Sequence, residues 1–162
     1  MANFMESLTD DKYRVINVFQ LNYEIRLKSW YDLRQQLQNT EDATKCVEID
    51  KWWQSAPIVN HYLHPDFTNE WPGPWELLVE NTYCTLARGL GMCYTLLLLG
   101  VTDIDFVLAK DDTGDEVALV LVNNAKYIMN YWPDTVISNT LKDFKVVQKL
   151  DLQTIITKIG RT

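Results

Sequence analysis

The stretch YCTLARGLGMCYTLLLLG, residues 83–100, decides the fold of this chain. Behind Cys84 it is apolar on almost every face, and a helix without a polar face belongs in the interior of a protein. We therefore predict a central buried helix from Tyr83 to Leu99. Gly100 follows as its terminator, because glycine readily adopts the left-handed conformation that closes helices.

Strand patterns follow this helix. Residues 103–109, 117–123 and 126–132 are rich in β-formers or alternate in polarity, and the turns KDDTGD and NNA separate them. The second of these segments is apolar on both faces, which is typical of a central strand. FKVVQKL (144–150) reads as one more strand, and DLQTIITKI (151–159) as a helical or extended end. We predict an α+β fold: amino-terminal helices, a central buried helix, and an antiparallel sheet of three to four strands.

Helical spacing dominates the amino-terminal part. Apolar residues three and four apart predict a long helix from Lys12 to Gln38, with Thr9 as its cap. A shorter helix covers CVEIDKWWQ (46–54), and residues 57–74, the proline-rich segment, form a long ordered loop. At this length we expect one domain over residues 1–162, with its core at about 75–134 and a helical and loop extension at 1–74.

Composition limits the classes of function. The chain has 162 residues, a net charge of −7, six tryptophans and an apolar fraction of 47%, which excludes a disordered chain. The acidic balance disfavours nucleic acid and anionic membranes as partners. We see neither a secretion signal nor a stretch that could span a membrane, so we expect a protein that is not secreted. The three cysteines are odd in number and widely spaced, as is typical of reduced thiols.

The order of elements around Cys84 resembles the transglutaminase-like, or papain-like, core. A cysteine opens a central helix that ends in LLLLG, and a strand, a turn and two more strands follow, over about Trp75 to Asp134. The resemblance implies that Cys84 stands at the position of the nucleophile and that a histidine at the start of the second strand is the general base. It also implies that Asn130, on the third strand, stands where the family orients that base.

The sequence lacks the histidine that serves as general base in this family. The expected position falls on Glu116, Val117 or Ala118, and no histidine occurs after Cys84. We therefore expect Cys84, Ala118 and Asn130 to be vestigial positions of a non-catalytic protein, because losing general acid–base catalysis costs about 100- to 10,000-fold in rate. The alternative is a cysteine hydrolase or amidotransferase in which Cys84 works with His61 or His64. It requires the proline-rich segment to fold back over the start of the helix.

The other groups of polar residues and glycines are not predicted to form a metal site or a phosphate-binding loop. His61, His64 and Asp66 lack a second cluster of ligands, and the acidic residues of DDTGDE are adjacent rather than alternating, so we predict no metal and no cofactor. Gly89 and Gly91 lie inside a helix rather than ahead of one, which disfavours a phosphate loop. They indicate instead that a large side chain or another backbone packs closely there.

Aromatic residues outside the core pattern predict a partner surface. Trp52, Trp53, Trp71 and Trp75 are the expected binding residues, because tryptophan dominates binding hot spots. Val15, Val18, Ile25 and Tyr31 add apolar area off the main stripe of the first helix. The texture WPGPWELL…YC…LGM.YTL…G is similar to small proteins of tailed bacteriophages. This implies a virion component of the neck, tail or baseplate, in a virion or the host cytoplasm, that assembles with other subunits in a symmetric homo- or hetero-oligomer.

Overall fold

The computed structural model describes residues 17–59, 63–132, 135–138 and 144–160. These residues form five α-helices and five strands, so the predicted α+β class is confirmed. The helices are α1 (Tyr23–Leu37), α2 (Asp42–Gln54), α3 (Pro74–Glu80), α4 (Thr85–Leu98) and α5 (Leu152–Ile159), and the strands are β1 (Ile104–Lys110), β2 (Glu116–Val122), β3 (Tyr127–Trp132), β4 (Thr135–Ser138) and β5 (Lys145–Lys149). Within this part of the chain, none of the helices has the length and hydropathy that a membrane span requires.

The sheet is antiparallel, with the strand order β4-β3-β2-β1-β5. β2 lies at its centre, as its two apolar faces predicted, and pairs with β1 from Lys110↔Glu116 to Ile104↔Val122. The sheet has five strands rather than three to four because β4 joins one edge. β4 spans four residues, too few to show an alternating pattern in the sequence.

Helix α4 is the centre of the core, and every residue from Leu86 to Leu96 except Arg88 is buried. The two glycines bring large rings against its backbone. A Cβ atom on Gly89 would lie 2.6 Å from the Phe106 ring, and one on Gly91 would lie 2.6 Å from the Trp53 ring. The close packing predicted at these glycines is therefore confirmed, and it locks α4 between β1 and α2.

The first helix is shorter than predicted. The sequence predicted a helix from Lys12, but within the described residues α1 begins at Tyr23, after a short 3-10 turn at Val18–Gln20. Two asparagine side chains explain the difference, because asparagine competes with the helix for backbone donors. Asn17 Oδ1 accepts the Phe19 N–H, and Asn22 Oδ1 accepts the Ile25 N–H. The predicted cap Thr9 and the apolar residue Val15 lie outside the described residues.

Two of the four tryptophans predicted to face a partner, Trp53 and Trp71, are buried in the core. Trp53 is 1% exposed and Trp71 is 3% exposed, while Trp52 and Trp75 are half-buried and pack against the same core. Their polar atoms are satisfied within the chain: the Trp53 indole donates to Thr95 Oγ1 and the Trp71 indole to the His64 carbonyl. The prediction of an exposed binding surface is therefore wrong for Trp53 and Trp71.

Candidate functional site

Cys84 stands at the amino end of α4. It is the N-cap residue of the helix, in an extended conformation (φ −126°, ψ 178°), and its 8% exposure leaves the thiol just below the surface. Tyr83, the residue before Cys84, is bonded to the proline-rich segment, because the Val59 N–H donates to the Tyr83 carbonyl at 2.8 Å. The positive end of the helix dipole and the free N–H groups of the first turn point towards Cys84.

A pocket of about 340 Å³ opens beside this thiol. The Cys84 pocket, as we name it, is bounded by Cys84 and Thr85, by Glu116, Val117 and Ala118 of β2, and by six apolar side chains: Ile58, Val59, Leu63, Pro65, Leu86 and Leu108. Its volume is at the lower end of the range for small-molecule sites. Glu116 is the one charged residue among these lining residues.

The proline-rich segment forms one wall of the Cys84 pocket. Ile58 pairs with Tyr83 in an isolated parallel bridge, and Leu63 and Pro65 reach the pocket from further along the segment. Arg88, on the first turn of α4, holds the entrance of the segment by donating to the carbonyls of Gln54 and Ala56. The described residues of the segment that line the pocket therefore lie over the start of the helix, which is the position that the alternative hypothesis from the sequence required.

The β2 wall of the pocket carries no histidine. Ala118 occupies the position that the family resemblance assigns to histidine, and it lines the pocket. His64 does not line the Cys84 pocket, although both of its neighbours do. Its Nδ1 accepts the Asp66 N–H at 3.1 Å, its ring stacks on Phe67, and its side chain is 57% exposed. His61 lies outside the described residues, between Val59 and Leu63 in the sequence.

Asn130 connects the two walls of the pocket. Its Nδ2 donates to the Ala118 carbonyl at 2.8 Å and to the Thr85 carbonyl at 3.0 Å. Its own backbone is left-handed, with φ +68°, and its N–H donates to Asp50 Oδ1 at 2.8 Å. The structure thus brings Cys84, Ala118 and Asn130 to one place, but the Asn130 amide holds backbone carbonyls rather than a catalytic side chain.

Asp50 belongs to this site although no motif of the sequence singles it out. It is fully buried in α2 and supports both Asn130 and, through its charge, Arg88. Burial lowers the pKa of the Arg88 guanidinium, and the nearby Asp50 carboxylate opposes that shift. A signal existed in the sequence: Asp50 stands between the apolar residues Ile49 and Trp53, on the face that α2 buries.

The three thiols have different surroundings. Cys46 and Cys93 are fully buried, and burial raises the pKa of both, to about 12 for Cys46. For Cys46 the nearby carboxylates of Asp42 and Asp50 add to the effect of burial. In the described part of the chain, no group of three or more histidine, cysteine, aspartate or glutamate residues could hold a metal ion.

We expect iodoacetamide to label the native protein selectively at Cys84. A pKa near 12 leaves Cys46 with about 1,000-fold less thiolate at neutral pH than an ordinary thiol, and thiolate is the reactive form. Peptide mass mapping after a short reaction at pH 7.5 measures this. In guanidinium chloride all three cysteines should react alike, and labelling of Cys46 or Cys93 before Cys84 in the native protein would contradict the burial described.

Comparison with known proteins identifies the fold. No known family and no curated protein matches the sequence. Among solved structures, LapG of Legionella pneumophila is similar over 86% of this chain and 87% of its own, with a TM-score of 0.67 and 13% identity. Its calcium-bound form matches with a TM-score of 0.64 at 13% identity, over 78% of this chain and 74% of that one. The EGTA-treated form has the same TM-score at 14% identity, over 80% and 74%.

The comparison supports the transglutaminase-like fold that the elements around Cys84 indicated. LapG is a transglutaminase-like cysteine protease. At this level of identity the likeness establishes architecture alone, because one fold hosts many functions. It gives no support to the resemblance to tailed-phage proteins.

Proposed function

We propose that this protein is a thiol-dependent hydrolase of acyl bonds, with Cys84 as its nucleophile. The observation that carries the proposal is the Cys84 pocket itself. A cysteine caps a buried helix, lines a pocket large enough for a substrate group, and is overlaid by the segment that holds both histidines. The likeness to LapG, a cysteine protease, supports the same function.

The arrangement fits a two-step reaction. The Cys84 thiol gives its proton to a base and its sulfur attacks the carbonyl carbon of an amide or ester, which then expels the amine or alcohol with a proton from the same base. Water next attacks the thioester carbonyl, releasing the acid and returning the thiol. The free N–H groups at the start of α4 lie at the site where negative charge develops on the carbonyl oxygen.

In this proposal His61 is the base. β2 supplies no histidine, because Ala118 stands at the family position; Glu116 is the one ionisable residue of β2 on the pocket wall. The Nδ1 of His64 is already an acceptor for the Asp66 N–H, and its ring lies against Phe67 rather than on the pocket wall. His61 belongs to the stretch that joins two residues of the pocket wall, Val59 and Leu63, which favours it over His64.

A second candidate function is a non-catalytic binding domain that uses the same pocket. Two observations favour it: Ala118 in place of histidine, and the Asn130 amide donating to two backbone carbonyls rather than to an imidazole. Such a domain would bind partner subunits without turnover. The virion role predicted from the sequence texture would be one form of it, and it stays a prediction without further support.

An activated acetyl ester separates the two candidates. We expect p-nitrophenyl acetate to acetylate Cys84 and the thioester then to hydrolyse, so that the protein releases many equivalents of nitrophenol. The Cys84→Ala variant should lose this turnover, while Cys93→Ala, the matched control, should keep it, because Cys93 is buried away from the pocket. Mass spectrometry locates the acetyl group, and a stable acetyl-Cys84 that water does not remove would support the binding domain and contradict the hydrolase.

A further inference from the structure

The apolar lining of the Cys84 pocket continues from its buried end to its rim. Leu86 of α4 and Leu108 of β1 line the buried end, and each is 7% exposed. Ile58 and Val59 line the pocket at the surface, where they are 47% and 49% exposed. Apolar side chains therefore extend from the start of the helix to solvent. A ligand that covers Ile58 and Val59 removes apolar area from water, which favours its binding.

The backbone carbonyls around the pocket already accept hydrogen bonds. The Asn130 amide donates to the carbonyls of Thr85 and Ala118. The Val59 N–H donates to the Tyr83 carbonyl. A peptide in the pocket would find these acceptors occupied, and its own N–H groups would lose their hydrogen bonds to water without replacement. A hydrocarbon chain has no such groups, so this environment favours it over a peptide.

The charged residues at the rim disfavour an anionic ligand. Glu116 lines the pocket at the start of β2, and Lys110 stands directly opposite it on β1. Both are exposed, and opposite charges on paired residues attract each other, so Lys110 offsets the charge of Glu116. Asp112 and Asp115, exposed in the turn between the two strands, leave an excess of negative charge. A neutral carbonyl compound is therefore favoured over a free carboxylic acid.

We propose that the Cys84 pocket binds the linear aliphatic chain of a neutral carbonyl compound. The chain packs on the two leucines of the buried end and reaches the exposed Ile58 and Val59. The carbonyl oxygen lies at the start of α4, where the Cys84 side chain caps no N–H group. One consequence rests on the proposed function: the acyl group that Cys84 takes from an ester or amide is then an aliphatic chain. The binding itself does not need the thiol.

The test uses the Cys84→Ala variant, so that binding is measured without chemistry. The probes are butan-2-one, hexan-2-one and octan-2-one, which carry the carbonyl and the chain but no bond that a thiol could cleave. Titrations followed by saturation-transfer difference NMR report their dissociation constants. We expect the affinity to rise about fourfold for each buried methylene, and thus about tenfold or more from one ketone to the next.

Two valines provide a matched pair of variants in the same background. Val59 and Val79 are 49% and 48% exposed, but Val59 lines the pocket, whereas Val79 lies on α3 and is not among the described lining residues. Val59→Ser should weaken the binding of octan-2-one about threefold or more, because it removes apolar contact at the rim. Val79→Ser makes the same chemical change and should leave the affinity unchanged.

A peptide-like competitor completes the test. N-acetyl-leucine methylamide combines a short apolar side chain with two peptide N–H groups, and we expect it to bind more weakly than octan-2-one. Equal affinities of the three ketones, equal effects of the two serine variants, or equal or tighter binding of the leucine amide would overturn the proposal. Affinity that rises with chain length, without ester turnover by the unmodified protein, supports this proposal and overturns only the hydrolase. Ester turnover by a protein that binds the three ketones equally overturns this proposal alone.

Discussion

Replacing His61 with alanine should slow the acylation of Cys84 by about 100- to 10,000-fold, the usual contribution of a general base. The reason lies in the pocket: Ala118 offers no proton acceptor, and His64 is stacked on Phe67 outside the lining. Stopped-flow release of nitrophenol from p-nitrophenyl acetate measures the acylation rate.

His64→Ala is the matched control, since it removes the same side chain from the same segment. Because the His64 side chain is 57% exposed and only bonds locally to Asp66, we expect its loss to change the acylation rate less than threefold. If both variants acylate as fast as the parent, neither histidine is the base, and this result would favour the non-catalytic binding domain over the hydrolase. If His64→Ala carries the large loss instead, the base in the proposal is the wrong histidine.

Trp53→Ala should lower the free energy of unfolding by about 3–5 kcal/mol, the range for deleting a large buried aromatic side chain. The Trp53 ring covers the backbone of Gly91, and its indole N–H donates to Thr95 Oγ1 at 3.0 Å. It also contacts the rings of Phe19, Trp30 and Tyr83, so its removal opens a cavity at the junction of α1, α2 and α4. Urea unfolding followed by circular dichroism measures the loss.

Trp52→Ala gives the comparison at the neighbouring position. Trp52 is half-buried, and its indole donates to Ser29 Oγ at 3.1 Å near the surface. We expect a loss of about 1–2 kcal/mol, because less apolar area and one peripheral hydrogen bond disappear. A Trp53→Ala variant as stable as the parent would show that the ring does not belong to the core, and would restore Trp53 to the predicted partner surface.

Much of the fold was predictable from local pattern. The apolar composition of residues 83–100 predicted the buried α4, and the two apolar faces of β2 predicted its central place in the sheet. The period of the apolar residues indicates whether a segment is a helix or a strand and which of its faces is buried, and this is enough to list the elements along the chain. The sequence alone also determined that β2 carries no histidine at the family position, since Ala118 stands there.

Contacts between distant residues were decided only by the tertiary structure. The bond from Val59 to Tyr83, which brings the proline-rich segment over Cys84, and the bond from Asn130 to Asp50 join residues 24 and 80 positions apart. The period of the apolar residues does not indicate which distant residues contact each other, because it describes one helix or strand at a time. The same limit hid the burial of Trp53: its place in α2 followed from the sequence, but the helix, strand and glycine that enclose it come together only in the folded chain.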